Sequence, residues 1–320
     1  MIAWLELIAG GVLLYVGAEW FVKAASNLAL YLRVPQVMIG LTVVAYGTSA
    51  PELIVGVEAA RMGHGGVALG NVVGSNLANL GLILGGVALI QPIRVPAVLR
   101  SRELPMLLGS TSLLPILLWD GALGFAEGAV LLGVTLGYTV VTASVARTHA
   151  LGTRAENGGE PTAGAGSARP MPGLKAALGA VAGLVVLLSG GHVFVNGAIS
   201  MAQTLGVSDR VVGLTVVAVG TSLPELVTSL IAARRGHSDL AIGNVMGSNI
   251  FNNCLCLGAA AMAGKVGHTL RAVAYELVAL LLMTALAGLM IRSERTISRL
   301  EGGVLFALYG VLMFVAVRGG

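Results

Sequence analysis

Long apolar segments separated by short polar loops run through the whole chain. Most of these segments approach or exceed the ~20 apolar residues that cross a bilayer as a helix. The pattern therefore predicts an all-α integral membrane protein with ten transmembrane helices. The ten predicted segments are residues 5–30, 37–60, 66–90, 104–119, 124–146, 174–202, 210–233, 239–263, 270–292 and 300–318.

A polar stretch rich in Gly, Ala and Pro, residues 147–173, divides the chain into halves 1–146 and 174–320 and is typical of a flexible linker. The halves contain a repeat: residues 40–85 and 213–258 align without a gap at a shift of 173, with 28 of 46 positions identical. Each half has five predicted helices. Because five is odd, the second half must enter the membrane from the opposite side, which predicts two inverted five-helix repeats.

Composition and charge support this interpretation. Hydrophobic residues make up 56% of the 320 residues and charged residues only 11%, against roughly 25% charged in soluble proteins. Thirteen basic residues lie in the loops that follow the odd-numbered segments. Only five lie in or beside the loops and the terminus that follow the even-numbered segments. The positive-inside rule then places both termini outside and the linker in the cytoplasm. The net charge of +4 thus reflects topology rather than nucleic-acid binding.

Two acidic residues, Glu52 and Glu225, lie in the middle of predicted helices, each within the motif GTS-x-PE. A central carboxylate costs ~2.5–3.5 kcal/mol, and no Lys or Arg is near either one in sequence, so a bound cation is the natural partner. Pro51 and Pro224 lack an N–H, which frees carbonyl groups in the preceding turn. The further candidate ligands of the two motifs are the hydroxyls of Thr48, Ser49, Thr221 and Ser222 and the carbonyls of Ala45 and Ala218.

A second repeated motif, GN-V-x-GSN, adds more oxygen donors. Its Ser and a following Asn are four residues apart and share one helix face. The candidate ligands are Ser75 and Asn79 in the first half and Ser248 and Asn252 in the second. Together with the glutamates they form an all-oxygen set, which favours a hard cation such as Ca²⁺. The Gly-x-x-x-Gly spacing within the motif is also typical of close helix packing, and both interpretations are compatible.

These motifs resemble the two alpha repeats of the sodium/calcium exchanger family, within the calcium/cation antiporter superfamily. The motifs that carry the resemblance are GTSAPE at 47–52, GNVVGSNLAN at 70–79, GTSLPE at 220–225 and GNVMGSNIFN at 243–252. The resemblance implies a secondary transporter, not an enzyme, that exchanges Na⁺ for Ca²⁺ by alternating access. It implies that helices two, three, seven and eight surround the ion site and that helices one and six slide across the rest.

The resemblance also implies the partners and location of the protein. The ligands are Na⁺ and Ca²⁺ as transported ions without a cofactor, and the protein is expected to act as a monomer in the cell membrane. Two departures are visible. Asn252 stands where sodium/calcium exchangers often have Asp, which leaves two carboxylates and puts potassium coupling in doubt. The short linker indicates a compact prokaryotic type.

The residues leave other functions open. A proton/calcium antiporter with the same fold, or exchange of another divalent cation, would use the same two glutamates. A passive channel is disfavoured because an inverted repeat around central glutamates is typical of alternating access. The roles of Glu19, which aligns with His192, and of Glu276 are not assigned by the motifs.

Overall fold

The computed structural model describes residues 2–156, 172–205, 218–267, 270–293 and 296–319. In these ranges the chain is helical apart from connections and four two-residue strands. The α-helices are α1 Ile2–Leu32, α2 Gln36–Ile39, α3 Ala45–Thr48, α4 Ala50–Arg61, α5 Gly65–Leu77, α6 Gly85–Ile90, α7 Leu104–Leu117, α8 Phe125–Glu156, α9 Gly173–Thr204, α10 Ala218–Thr221, α11 Leu223–Arg234, α12 Ser238–Phe251, α13 Leu257–Ala263, α14 Leu270–Ser293 and α15 Arg299–Gly319.

Four π-helical turns interrupt or precede these helices in the described part of the chain. They are π1 Gly40–Val44, π2 Ala78–Leu84, π3 Leu99–Glu103 and π4 Asn252–Cys256. The strands β1 Ile93–Arg94 and β4 Thr296–Ile297 pair antiparallel, as do β2 Ala122–Leu123 and β3 Val266–Gly267. Each strand pair links a loop of the first half to a loop of the second half. The halves are therefore joined by backbone hydrogen bonds at two places in addition to the helix packing.

The all-α prediction is confirmed, and apart from the longer α8 the described helix ends lie within a few residues of the predicted ones, where both are described. By length and hydropathy, four described helical segments qualify as membrane spans. The segment from α2 to α3 meets α4 at a bend of 43°, and the two together count as a fifth if they form one span. The count of ten crossings therefore stays a prediction. Helix α8 continues to Glu156, so the first ten residues of the predicted linker are helical; residues 157–171 lie outside the described residues.

Helices α1 and α9 form an antiparallel pair whose backbones touch. Gly10 lies against Phe194, Gly17 against Leu187 and Gly190 against Leu14, and a Cβ on any of these glycines would come within 2.4–2.5 Å of a backbone nitrogen. Positions rise along one helix as they fall along the other. The shift of 173 residues makes α1 and α9 equivalent helices, Phe21 corresponding to Phe194. Equivalent helices that run in opposite directions are what inverted repeats require.

Helix α12 is the centre of the molecule. Every residue from Leu240 to Phe251 is buried, including its polar side chains. A helix that is buried all round lies within the core. It packs on α2, π1 and α3, where Gly243 and Gly247 allow the backbones of Gly40 and Leu41 to come close. The second motif of one repeat thus lies directly against the broken helix of the other.

Candidate cation site

Both GTS-x-PE motifs fold into broken helices. The chain leaves α-helical geometry at Ser49 (φ −80°, ψ 5°) and at Ser222 (φ −88°, ψ 5°), and a new helix starts at the next residue. Proline is tolerated there because the first residues of a helix need no N–H donor. The break places Glu52 and Glu225 in the first turns of α4 and α11. Each carboxylate therefore lies near the positive end of a helix dipole, where negative charge is favoured and where a helix starts.

The two glutamates are fully buried, and their carboxylates accept hydrogen bonds from serines of both repeats. Ser75 and Ser222 each donate a hydrogen bond to Glu52 Oε1, both at 3.2 Å. Ser49 donates to Glu225 Oε1, also at 3.2 Å. The hydroxyl at each break therefore bonds the glutamate of the opposite repeat. This crossed arrangement brings the two carboxylates of the inverted halves into one site.

One oxygen of each carboxylate makes no hydrogen bond within the described ranges. Glu52 Oε2 and Glu225 Oε2 are buried without a hydrogen bond among the described residues. The ion pairs of the described residues join Arg61 to Glu58, Arg102 to Glu103 and Arg235 to Glu19, so they leave both central glutamates without a basic partner. Burying a charge without a partner is expensive, and a cation between the two carboxylates would offset that cost.

The Asn residues of the second motif lie where π-turns begin. Asn79 belongs to π2 and Asn252 starts π4, and both side chains are buried. Such π-turns inside α-helices are frequent at functional sites. In the part of the chain that the structure describes, both polar atoms of the Asn79 amide lack a hydrogen-bond partner, as do Ser248 Oγ and Asn252 Nδ2. Asn252 Oδ1 accepts a weak hydrogen bond from Cys256 Sγ at 3.5 Å. Unpaired buried polar atoms thus recur among the predicted ligands.

The remaining predicted ligands lie at the breaks. Thr48 is buried, Thr221 is half-buried at the end of α10, and Ser49 and Ser222 make the crossed bonds. The Ala45 carbonyl accepts the Ser49 N–H at 3.0 Å, which leaves one of its two lone pairs available. Ala218 is the first residue of α10. Residues 206–217, which precede it and include part of the second repeat, lie outside the described residues.

A cavity of about 370 Å³ lies beside the two prolines. Pro51 and Ile54 line one side, Thr221 and Pro224 another, and His192 and Val195 of α9 a third. His192 also bonds Asn196 one turn along the helix at 3.2 Å. His192, which the sequence left unassigned, therefore faces a space next to the acidic residues, whereas the side chain of Glu276 lies outside the described residues.

Glu19, the other unassigned residue, forms an ion pair with Arg235 at the end of α11. The neighbouring residues continue this polar contact between α1 and the core, since His237 Nδ1 bonds Gln36 Oε1 at 3.0 Å and Gln36 Nε2 bonds Ser26 Oγ at 3.1 Å. Burial and, second, the charge of Arg235 lower the pKa of His237, which lies in the connection before α12.

Several polar residues that the motifs did not single out as ligands support the site. Asn71 Nδ2 donates to the main-chain oxygen of Glu52 at 3.1 Å, and its repeat equivalent Asn244 bonds Thr48 and Ser229. Asn76 Nδ2 donates to Asn253 Oδ1 at 2.6 Å. Three of these asparagines belong to the repeated GN-V-x-GSN motif, and their identity in both halves was the signal that could have indicated them.

An all-helical membrane protein with inverted repeats, broken helices and paired acidic residues at the breaks is a secondary transporter. Comparison with known proteins assigns its family. The family model described as "Sodium/calcium exchanger protein" matches residues 2–143 and 175–318. The chain therefore belongs to the sodium/calcium exchanger family.

Relatives match over nearly the full length. The chain is 38% identical to the putative antiporter CaxA of Alkalimonas amylolytica, covering 98% of this chain and 99% of the relative. It is 32% identical to the sodium/calcium exchanger MaX1 of Methanosarcina acetivorans, covering 97% of each chain. Among solved structures, the sodium–calcium exchanger NCX_Mj superposes with a TM-score of 0.83 at 31% identity, covering 98% of both chains.

Proposed function

We propose that this protein exchanges Na⁺ for Ca²⁺ across the membrane at the site formed by Glu52 and Glu225. The observation that carries the proposal is the crossed pair of buried glutamates. Each accepts a hydrogen bond from a serine of the opposite repeat, and each has one oxygen without a partner among the residues that the structure describes. The proposed ligands are these two glutamates together with Thr48, Ser49, Ser75, Asn79, Thr221, Ser222, Ser248 and Asn252 and the carbonyls of Ala45 and Ala218.

The chemistry of the donors fits these cations. Carboxylate, hydroxyl, amide and carbonyl oxygens are the ligands of Ca²⁺, which takes 6–8 of them, and they serve Na⁺ at broken helices as well. When both glutamates are ionised, the site has a charge of −2, which one Ca²⁺ or two Na⁺ neutralise. Because a charged site is costly in a bilayer, the loaded site changes sides more readily than the empty one. That difference couples the movement of one ion to that of the other.

The cavity beside the prolines provides access from one side. Ile54 and Val55 follow Glu52 along α4, and Gly220 and Thr221 precede Glu225, so the cavity lies on one side of the two carboxylates. With both termini outside, as the distribution of basic residues predicts, that side is extracellular and the linker is cytoplasmic. The protein is then an outward-facing, monomeric transporter of the cell membrane, and α1 and α9 slide to expose the site on the other side.

The test is uptake of radioactive calcium by proteoliposomes loaded with Na⁺. We expect uptake with an outward Na⁺ gradient and none in vesicles loaded with K⁺, or with choline and a pH gradient. Uptake that follows the pH gradient and ignores Na⁺ would instead show a proton/calcium antiporter and refute sodium coupling.

Two substitutions test the site itself. Glu52→Gln and Glu225→Gln should each reduce calcium uptake by at least about tenfold, because each removes one of the two negative charges that balance the cation. Interactions with a charged group contribute roughly 1.5–3 kcal/mol, on the scale of hydrogen bonds to such groups. Glu58→Gln is the matched control, since Glu58 is on the same helix α4 with its side chain 59% exposed. Wild-type uptake in a monodisperse Glu52→Gln protein would contradict the proposed site.

A further inference from the structure

The hydroxyl group of Thr48 is held from the opposite repeat. Thr48 Oγ1 lies 3.2 Å from Asn244 Oδ1 and 3.0 Å from the carbonyl oxygen of Val44 in its own helix. Asn244 Nδ2 in turn donates to Ser229 Oγ at 3.1 Å. The side chains of Thr48, Asn244 and Ser229 are all fully buried. A chain of hydrogen bonds therefore runs from α3 through α12 to α11.

The direction of these bonds matters for a cation ligand. A hydroxyl group has one proton to donate and two lone pairs with which to accept or to bind a cation. A cation is bound through the lone pairs, so the proton must be directed to an acceptor elsewhere. The Val44 carbonyl oxygen and Asn244 Oδ1 are two such acceptors, and they share the one proton of Thr48. The amide presents this oxygen because its nitrogen donates to Ser229; in the opposite orientation the amide N–H would occupy a lone pair of Thr48.

The equivalent asparagine of the first repeat makes a different bond among the described residues. Asn71, the equivalent of Asn244, donates to the main-chain oxygen of Glu52 at 3.1 Å. Gly56 stands at the position equivalent to Ser229, so the hydroxyl that accepts the Asn244 amide has no counterpart there. Both asparagines belong to the same repeated motif, yet they have different partners. Local sequence therefore does not dictate the bond to Thr48; the packing of α12 on α3 does.

We infer that Asn244 is a positioning residue that orients the Thr48 hydroxyl for cation binding, with Ser229 supporting the amide. The inference rests on the proposed function, since Thr48 is a ligand only there. Asn244 does not bind the ion itself and acts through Thr48. Loss of the Asn244 side chain leaves the Val44 carbonyl as the acceptor for the Thr48 proton, which weakens the interaction with Ca²⁺ without removing a ligand.

The experiment is a double-mutant cycle on the KM for Ca²⁺ in Na⁺-loaded proteoliposomes. Thr48→Val should raise the KM, and Asn244→Ala should raise it by about 2- to 10-fold, the range for a neutral hydrogen bond. The double variant should have the KM of Thr48→Val alone, because residues that act through one another are non-additive. A merely structural role of Asn244 would not produce this dependence on Thr48.

Each outcome decides the inference. An undiminished effect of Asn244→Ala in the Thr48→Val background overturns it while leaving the proposed function intact. An unchanged KM in Thr48→Val shows that Thr48 is not a ligand and overturns it as well. If calcium uptake by the wild-type protein does not depend on Na⁺, the proposed function is refuted, and the inference that rests on it is refuted with it. Should Asn244→Ala fail to fold, Ser229→Gly, which copies Gly56 of the first repeat, carries the same cycle with a smaller expected rise in KM.

Discussion

At the residue scale, Asn253 joins three helical elements of the core. Its Oδ1 accepts a hydrogen bond from Asn76 at 2.6 Å, and its Nδ2 lies 3.2 Å from Ser110 Oγ and 3.0 Å from Thr111 Oγ1. All four side chains are buried. Because Asn253 follows Asn252 in π4, the network fixes the turn that carries a proposed ligand. The equivalent position of the first repeat is Leu80, so this support exists in one half.

Asn253→Leu should therefore lower the thermal stability of the purified protein. The substitution leaves the buried Asn76 amide donor unpaired, which costs about 1–3 kcal/mol. The measurement is the midpoint of thermal unfolding in detergent. Asn27→Leu is the control, because the Asn27 amide bonds the Lys23 carbonyl within α1 at an exposed position. Equal midpoints for Asn253→Leu and the control would show that the network adds no stability.

At the scale of elements, the two GN-V-x-GSN helices have the same sequence pattern and different packing. A Cβ on Gly247 of α12 would lie 2.8 Å from Ala45 Cβ and 2.8 Å from the carbonyl oxygen of Leu41. A Cβ on its equivalent, Gly74 of α5, would meet no described atom within 4 Å. The Gly-x-x-x-Gly spacing therefore serves close packing on one side and leaves room on the other, which the motif alone did not distinguish.

Alanine should destabilise the protein at Gly247 but not at Gly74. Gly247→Ala must push α12 away from α3, and overpacking of this kind costs about 1–3 kcal/mol. Gly74→Ala adds a methyl group in open space and gains up to ~1 kcal/mol of helix propensity. We expect a lower unfolding midpoint for Gly247→Ala and an unchanged or higher one for Gly74→Ala. Destabilisation of equal size in both variants would refute the packing difference.

At the scale of the whole molecule, one ion pair breaks the symmetry of the halves. Glu19 of α1 pairs with Arg235 after α11, whereas the equivalent residues are His192 and Met62. The access cavity, which His192 of α9 lines, lies toward the other side of the membrane from this ion pair. In the proposed cycle α1 and α9 slide across the core, and we expect the pair to separate when the cavity closes. On that expectation the pair stabilises the conformation with the cavity open.

Charge reversal should show this bias. Arg235→Glu replaces an attraction with a repulsion; a partly exposed pair contributes up to about 1 kcal/mol, which is about fivefold in a conformational equilibrium. We expect a thiol reagent to modify a cavity cysteine, Val195→Cys, about 2- to 5-fold more slowly in the Arg235→Glu background. The native Cys254 and Cys256 are buried and should contribute little labelling.

The charge-swapped protein is the control for this experiment. Glu19→Arg combined with Arg235→Glu restores an opposite-charge pair and should return the labelling rate toward that of the parent. If the swapped protein stays as slow as Arg235→Glu alone, the ion pair does not set the equilibrium, and the single substitution acts through some other contact.

The sequence by itself determined the membrane class, the duplication and its inversion, and the two acidic motifs. These are local properties: apolar length, identity at a shift of 173 residues, and the cost of a carboxylate in an apolar segment. Only the tertiary structure decided which side chains meet. The bonds from Ser222 to Glu52 and from Ser49 to Glu225 join residues 170 and 176 positions apart. Such contacts depend on how helices pack, and near-identical motifs acquire different partners because the two halves pack differently around them.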